Sequence, residues 1–163
     1  MKIDTKLVSE AINLMTGSIL SIAKSSAKEK KGVSVTIIYG RINEQYDENV
    51  AEPELKMVHQ IGESAAKYDD FAEKKADLSW RTGADGRVVT EGFHSVVLLK
   101  EGKDCVYAGS YSLTIGHIRL VVATSALDPA EDEAIARIIA VAIFMLLQRK
   151  VSSARDAKGI IPE

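Results

Sequence analysis

Asp128-Pro129-Ala130-Glu131-Asp132-Glu133 runs without a break into Ala134-Ile135-Ala136-Arg137-Ile138-Ile139-Ala140-Val141-Ala142-Ile143-Phe144-Met145-Leu146-Leu147, and this stretch reads as a helix with a strong start. Asp128 supplies an N-cap oxygen, Pro129 takes the first helical position where a missing N–H costs nothing, and Glu131 stands where its carboxylate reaches back to the cap. The acids suit the positive end of the helix dipole, and Gln148, Arg149 and Lys150 fall at its negative end. Across residues 138–147 no side chain is polar. A helix that is apolar all round must be covered on more than one side. This one is therefore predicted to be core and subunit contact at once, with Ile138, Ile143 and Leu146 meeting a second copy in a homo-oligomer.

Working back from that helix, residues 93–100, 105–113 and 117–124 read as three strands. Glu101-Gly102-Lys103-Asp104 and Thr114-Ile115-Gly116 form the turns of an antiparallel meander. At the other end of the chain Val8, Ile12, Met15, Ile19 and Ile22 recur at helical spacing, so Asp4 to about Lys28 is predicted as a helix with one buried face, stopped by Gly32. Residues 33–39, rich in valine and isoleucine, then form a strand. Pro53 opens a region in which Val58, Ile61, Ala65 and Tyr68 share a helical face, continued by Phe71, Ala72 and Ala76. His59 and Glu63 would stand one turn apart on that helix, a spacing that can carry two metal ligands, although two residues do not make a metal site. A short strand is expected at 42–46, a turn at Ala84-Asp85-Gly86, and a strand at 87–90 pairing back on 78–82. Residues 151–163 lose their period and read as a tail after a single domain of residues 1–150.

The sum is an α+β fold. An antiparallel sheet of about five strands carries helices packed on it, in the order seen in profilin-like and roadblock-like domains. A chain of 163 residues suits one domain. Its formal charge of −2 gives no field for nucleic acid or anionic lipid, and the apolar run of the last helix falls short of the roughly 20 residues a bilayer span needs. No secretory apolar core follows Met1, so a cytoplasmic protein is expected. The one cysteine, Cys105, excludes an internal disulfide and a thiolate zinc cluster. No glycine-rich phosphate loop follows a strand, and Ser34, Ser95, Ser110 and Ser112 stand in no nucleophile-elbow pattern. The basic run of Lys28, Lys30 and Lys31 reads most simply as compensation of a helix dipole, with anion binding as the sharper alternative.

Ala123-Thr124-Ser125-Ala126-Leu127-Asp128-Pro129-Ala130-Glu131-Asp132-Glu133-Ala134-Ile135-Ala136 resembles the end of the GlcG-like haem-binding family, in which a last strand passes through a small-residue turn into an acidic helix start. Phe71-Ala72-Glu73-Lys74-Lys75-Ala76 is similar to the Lys-Ala step of that family's middle helix, and residues 33–39 sit where its first strand stands. The family's Gly-Gly pair before the final strands is matched at best by Gly92. The resemblance implies a small oligomeric protein that binds haem or another small ligand and acts in sensing or protection.

Counting the two meander turns pairs His94 with Tyr111 and Tyr111 with Arg119. Leu113 then faces His117, and Gly109 faces Val121. The expected result is a sheet face bearing His94, Tyr111, His117 and Arg119 beside a mid-strand Gly109, opposite an apolar face that floors the helices. Arg119 can grip a carboxylate or phosphate, Tyr111 can donate its hydroxyl, an imidazole can ligate iron, and Gly109 leaves room for a ligand. The plainer reading of the same face is a solvated or subunit-facing surface with Arg119 in an ion pair. Trp80 reads as a packing anchor. Three functions follow: a non-catalytic small-ligand-binding protein with haem as the possible cofactor, a roadblock-like interaction module, or an enzyme acting on a small anionic metabolite through His94, Tyr111 and Arg119.

Overall fold

Asp4 accepts a 2.8 Å hydrogen bond from the Leu7 N–H and starts the first helix, α1 (Thr5–Ser25). Its predicted face is realised: Val8, Ile12 and Ile19 are buried, and Met15 and Ile22 pack against the core. The computed structural model describes residues 2–42, 52–83, 105 and 107–157. Strand β1 (Gly32–Arg41) follows α1, and every residue in it but the last is buried. The alternation of Val33, Val35, Ile37 and Tyr39 with Ser34, Thr36 and Ile38 reads as a strand with one buried face, whereas both of its faces are covered.

Among the described residues, β1 is central in a four-stranded antiparallel sheet with β2 (Leu55–Gly62), β3 (Ser110–Ile115) and β4 (Ile118–Ser125), in the order β2-β1-β4-β3. Helix α2 (Ala66–Thr82) lies between β2 and β3 in sequence, and α3 (Pro129–Ala157) closes the described chain. The sheet is the middle of three layers. Val33, Val35, Ile37, Leu120 and Val122 point to α1 and α3, while Ile38, Val121 and Ala123 point to Ala76 and Trp80 of α2. The open polar face expected from the sequence is thus covered by α2, which packs on Ile38, Val121 and Ala123 while the buried hydroxyls of Ser34 and Thr36 share that face.

Three further expectations change. Residues 55–62, read as helix, form β2: Leu55, Met57, His59 and Ile61 alternate inward, and Lys56, Val58 and Gln60 alternate outward. The exposed Val58 is the residue that lent this stretch its false helical period. His59 and Glu63 are therefore not turn neighbours, and Glu63 instead pairs with Lys31 at 3.8 Å. Residues 78–82, read as strand, continue α2, which ends at Gly83 in the left-handed conformation (φ +72°); Trp80 is buried, as an anchor should be, but on a helix. Residues 151–157, read as tail, continue α3. The expected elements at 84–90 and 93–104 lie outside the described residues, as does most of 42–46.

α3 begins much as its sequence promised. The Glu131 carboxylate accepts from the Asp128 N–H at 3.2 Å and from Ser26 Oγ at 2.7 Å, tying the start of α3 to the end of α1. The two helices therefore run antiparallel in one layer. Ile143 and Leu146 are sealed in the protomer's own core and cannot meet a second subunit, and Ile138 is half-buried. The apolar side chains α3 leaves outside are Val141 and Met145, 63% and 37% exposed. No helix among the described residues is long and apolar enough to cross a membrane.

Candidate functional site

The β3–β4 hairpin turns on two residues, Gly116 and His117, so Ile115 faces Ile118, Thr114 faces Arg119 and Tyr111 faces Val122. The turn expected from the sequence was three residues long and placed earlier, which shifts the pairing by three. An odd shift sends one strand's side chains to the other face. Tyr111 and Arg119 consequently lie on opposite faces of the sheet. Tyr111 packs against the α1/α3 core with the Arg137 guanidinium 5.1 Å from its ring. Arg119 stacks 5.9 Å from the Trp80 ring, donates from Nη1 to the Trp80 carbonyl and from Nε to Thr114 Oγ1 at 3.2 Å, and lies against Gly83. Burial lowers its pKa from the usual guanidinium value. This arginine neutralises the negative end of α2. His117 is exposed in the turn at the same end of the sheet, and His94 lies outside the described residues.

Gly109 belongs to the opposite end, about 23 Å away along β4 at roughly 3.3 Å per residue. There the two stretches that carried the family resemblance meet. Lys75 of α2 and Asp132 of α3 are 4% and 2% exposed, with Lys75 Nζ 3.0 Å from Asp132 Oδ2. Lys75 also donates to the Thr124 carbonyl at 2.9 Å, Asp132 Oδ1 accepts from the Leu127 N–H at 3.2 Å, and Thr124 Oγ1 donates to the Asp132 carbonyl at 2.5 Å. Burial raises the pKa of the Asp132 carboxyl, and the Lys75 ammonium draws it only part of the way back. Gly109 has φ +131°, and a Cβ there would stand 2.7 Å from Lys75 Nζ and 2.9 Å from Asp132 Cβ.

Above this pair a cavity of about 240 Å³ opens between Tyr68 and Phe71 of α2, Tyr107 ahead of β3, and the β4–α3 turn from Ser125 to Pro129. Phe71 and Tyr107 are exposed large apolar side chains. Lys28 lines the cavity, and Lys30 and Lys67 stand against Tyr68 in its wall. Lys28 bonds the Asp128 carboxylate and the Leu127 carbonyl, each at 3.0 Å, and the Asp128 hydrogen bond raises its pKa. Lys30 donates to the Tyr68 hydroxyl at 3.1 Å, and the Lys67 ammonium is 5.0 Å from the Tyr68 ring. That hydrogen bond from Lys30 holds the Tyr68 phenol below its ordinary pKa, with the charges of Lys30, Lys67 and Lys28 adding to it. A broader depression of about 540 Å³ on α1, lined by Lys6, Ser9, Glu10, Asn13 and Leu14, is relief on the surface of a single helix.

Of the described residues expected to form a site, only Gly109 comes near this cavity, beneath its floor against Lys75 and Asp132. Sequence reasoning missed Tyr68, Lys75 and Asp132 as neighbours. The signals were faint: a lysine among the alanines Ala72 and Ala76, and one more acid at the start of α3 than a cap and dipole require. Of the basic run read mainly as dipole compensation, Lys28 lines the cavity and Lys30 bonds the hydroxyl of Tyr68 in its wall.

No family model matches the sequence, and no curated protein matches it. Solved structures do. HbpS superposes with a TM-score of 0.58 at 16% identity, over 86% of this chain and 89% of its own. The PduOC:heme complex gives 0.54 at 14% identity, over 87% and 95%. Klebsiella pneumoniae protein ORFY, of the DUF336 family, gives 0.51 at 11% identity, over 80% and 88%. At these identities the likeness is one of fold, and the resemblance to GlcG-like haem-binding proteins first visible in residues 71–76 and 123–136 is matched by the architecture of nearly the whole chain.

Proposed function

We propose that the chain is a non-catalytic small-ligand-binding protein in a sensing or accessory role, that its site is the cavity over Lys75 and Asp132, and that haem is the leading ligand. The observation that carries this reading is the composition of the cavity. Two exposed aromatic side chains, Phe71 and Tyr107, and the Lys28 ammonium line a pocket whose floor is a sealed ion pair, and two more ammonium groups, Lys30 and Lys67, lie against the ring of Tyr68 in its wall. Aromatic faces suit a flat ligand, and ammonium groups suit its carboxylates. Haem fits this set in kind. Its propionates would be held by Lys28 and its ring edge by Phe71 and Tyr107, and it would supply a ferric iron. The enclosed volume lies below the roughly 300 Å³ at which drug-sized pockets begin, so a porphyrin would be held by an edge. That one structural relative was solved as a haem complex adds support.

Assembly with a second copy is part of the same reading. Leu14 of α1 and Val141 and Met145 of α3 are exposed, and at 1.5 Å per residue all three lie about 15–21 Å from the Ser26–Glu131 junction, at one height of the outer layer. Two antiparallel helices offered to their own copy across a two-fold axis make a four-helix contact.

Haemin titrated into the purified protein should saturate with a shifted Soret band, and Lys28→Glu combined with Lys67→Glu should weaken binding at least tenfold, or by ~1.4 kcal/mol or more. Absence of any Soret shift, together with a thermal shift from a non-porphyrin carboxylate, would replace haem by that ligand class. Silence in both measurements would overturn the ligand-binding reading.

A further inference from the structure

Several side chains in the cavity wall keep a polar hydrogen that no acceptor takes up among the described residues. Ser125 is the clearest: it lines the cavity, is 5% exposed, and its hydroxyl makes no hydrogen bond there. Lys75 is 4% exposed and gives its ammonium to two acceptors, the Thr124 carbonyl and Asp132, which leaves one N–H over. Lys28, more exposed, repeats the pattern with Asp128 and the Leu127 carbonyl. Tyr68 accepts from Lys30 and so keeps its own hydroxyl hydrogen to give. Buried donors are rarely left without a partner in a folded protein, and a guest or ordered water meets those that face a cavity.

The rest of the wall says which guest. Phe71, Tyr107, Leu127 and Pro129 make it apolar, and the first two offer exposed aromatic side chains. The volume of about 240 Å³ exceeds the roughly 150 Å³ that takes up a benzene molecule, so a single ring with one small polar group enters whole. Lys30 and Lys67, against the Tyr68 ring, have no carboxylate partner among the described residues, and their charge favours an anion over a cation. A carboxylate group accepts about four hydrogen bonds through its two oxygens, which suits a wall rich in spare donors. Inorganic phosphate would meet the donors and leave the apolar walls uncovered, whereas a neutral ring would cover the walls and leave the donors unmet.

We infer that the cavity encloses a small aromatic monocarboxylate, its carboxylate on the spare hydrogens of Ser125 and Lys75 and its ring against Phe71 and Tyr107. The inference rests on the reading of the cavity as a ligand site and deepens it. It does not rest on haem, which would enter by an edge.

Benzoate titrated calorimetrically into the full-length protein should bind saturably, with benzyl alcohol and inorganic phosphate each at least about tenfold weaker. Anthracene-9-carboxylate, which carries the same group on a body too large for the cavity, should not bind. Ser125→Ala removes one donor without adding bulk and should weaken benzoate about tenfold; Tyr68→Phe removes another, and replaces it as the test if a thermal melt shows Ser125→Ala unfolded. Benzyl alcohol or phosphate binding as tightly as benzoate overturns the assignment, as does benzoate affinity unchanged in the folded variants. Silence from benzoate beside a Soret shift from haemin overturns it and leaves the ligand-site reading standing. Silence from benzoate, haemin and the other carboxylates overturns both.

Discussion

Gly109 shows how much one backbone conformation holds in place. Its φ of +131° suits glycine, its carbonyl accepts from the Thr124 N–H at 2.8 Å, and the missing side chain lets Lys75 and Asp132 close over it. Gly109→Ala brings a Cβ within 2.9 Å of three groups at a strained φ, so it should destabilise the fold by at least about 1–3 kcal/mol, measured by urea unfolding. The ion pair beneath it is costlier to break. Asp132→Ala strands the Lys75 ammonium inside the protein and should cost about 3–5 kcal/mol. Asp132 also carries a pH dependence. Its folded pKa is raised above 3.8 by burial, so the folded chain holds this proton more tightly than the unfolded one. The contribution of this group is greatest below the unfolded value and is lost as pH rises through the folded value. Urea melts over a pH series should therefore show wild-type stability falling relative to Asp132→Asn across that window; a relative gain would mean that attraction to Lys75 outweighs burial. None of this was legible in advance. A buried lysine and its partner, 57 positions apart, announce themselves only once the two helices that carry them are placed.

At the scale of elements, local signals read well and ambiguous periods read poorly. Asp4, the α1 face and the acidic start of α3 were legible because caps and long helical periods are properties of neighbouring residues. Residues 55–62 were not, because Val58, Ile61 and Ala65 satisfy a helical spacing while Leu55, Met57, His59 and Ile61 satisfy a strand, and pairing with β1 decided between them. The β3–β4 pairing failed on the length of one turn. Glu131 deserves mutation more than the cap residue, since its carboxylate serves both Asp128 and Ser26. Glu131→Ala should lower stability by about 1–2 kcal/mol, and an unchanged melting temperature would show that the α1–α3 junction does not depend on it. The long apolar run of α3 divides cleanly. Ile143→Glu buries an unpaired charge and should unfold the protomer, whereas Val141→Glu and Met145→Glu should leave it folded and shift the assembly to monomer in light scattering. A wild-type protein that is already monomeric at micromolar concentration would remove the second-copy contact.

At the scale of the whole molecule, the two covered faces of the sheet are unequal among the described residues. α1 and α3 share a thick aliphatic core with the sheet, including Ile12, Ile19, Ile37, Leu120, Ile139 and Ile143. α2 rests through Ala76 and Trp80 on Ile38, Val121 and Ala123, with hydroxyl pairs at Ser79–Ser110 and, just ahead of α2, Ser34–Ser64, each 2.7 Å long. The Thr36 hydroxyl, buried on the same side, has no hydrogen-bond partner among the described residues. Composition and strand content foretold a sheet with helices on it. They did not foretell a second covered face, because Ser34, Thr36 and Arg119 on that face look in sequence like a surface left to solvent.

That thin seam under α2 has a kinetic meaning. Regions with few buried apolar contacts open at a lower free energy than the whole molecule, so the amide hydrogens of α2 should exchange with deuterium ahead of those of α1 and β1, with uniform exchange counting against the idea. Tyr68, Phe71 and Lys75 all ride on α2. The 240 Å³ of the cavity is then the resting volume of a chamber with one breathing wall, and a bulky, flat guest would be admitted at a rate set by how often α2 lifts from the sheet.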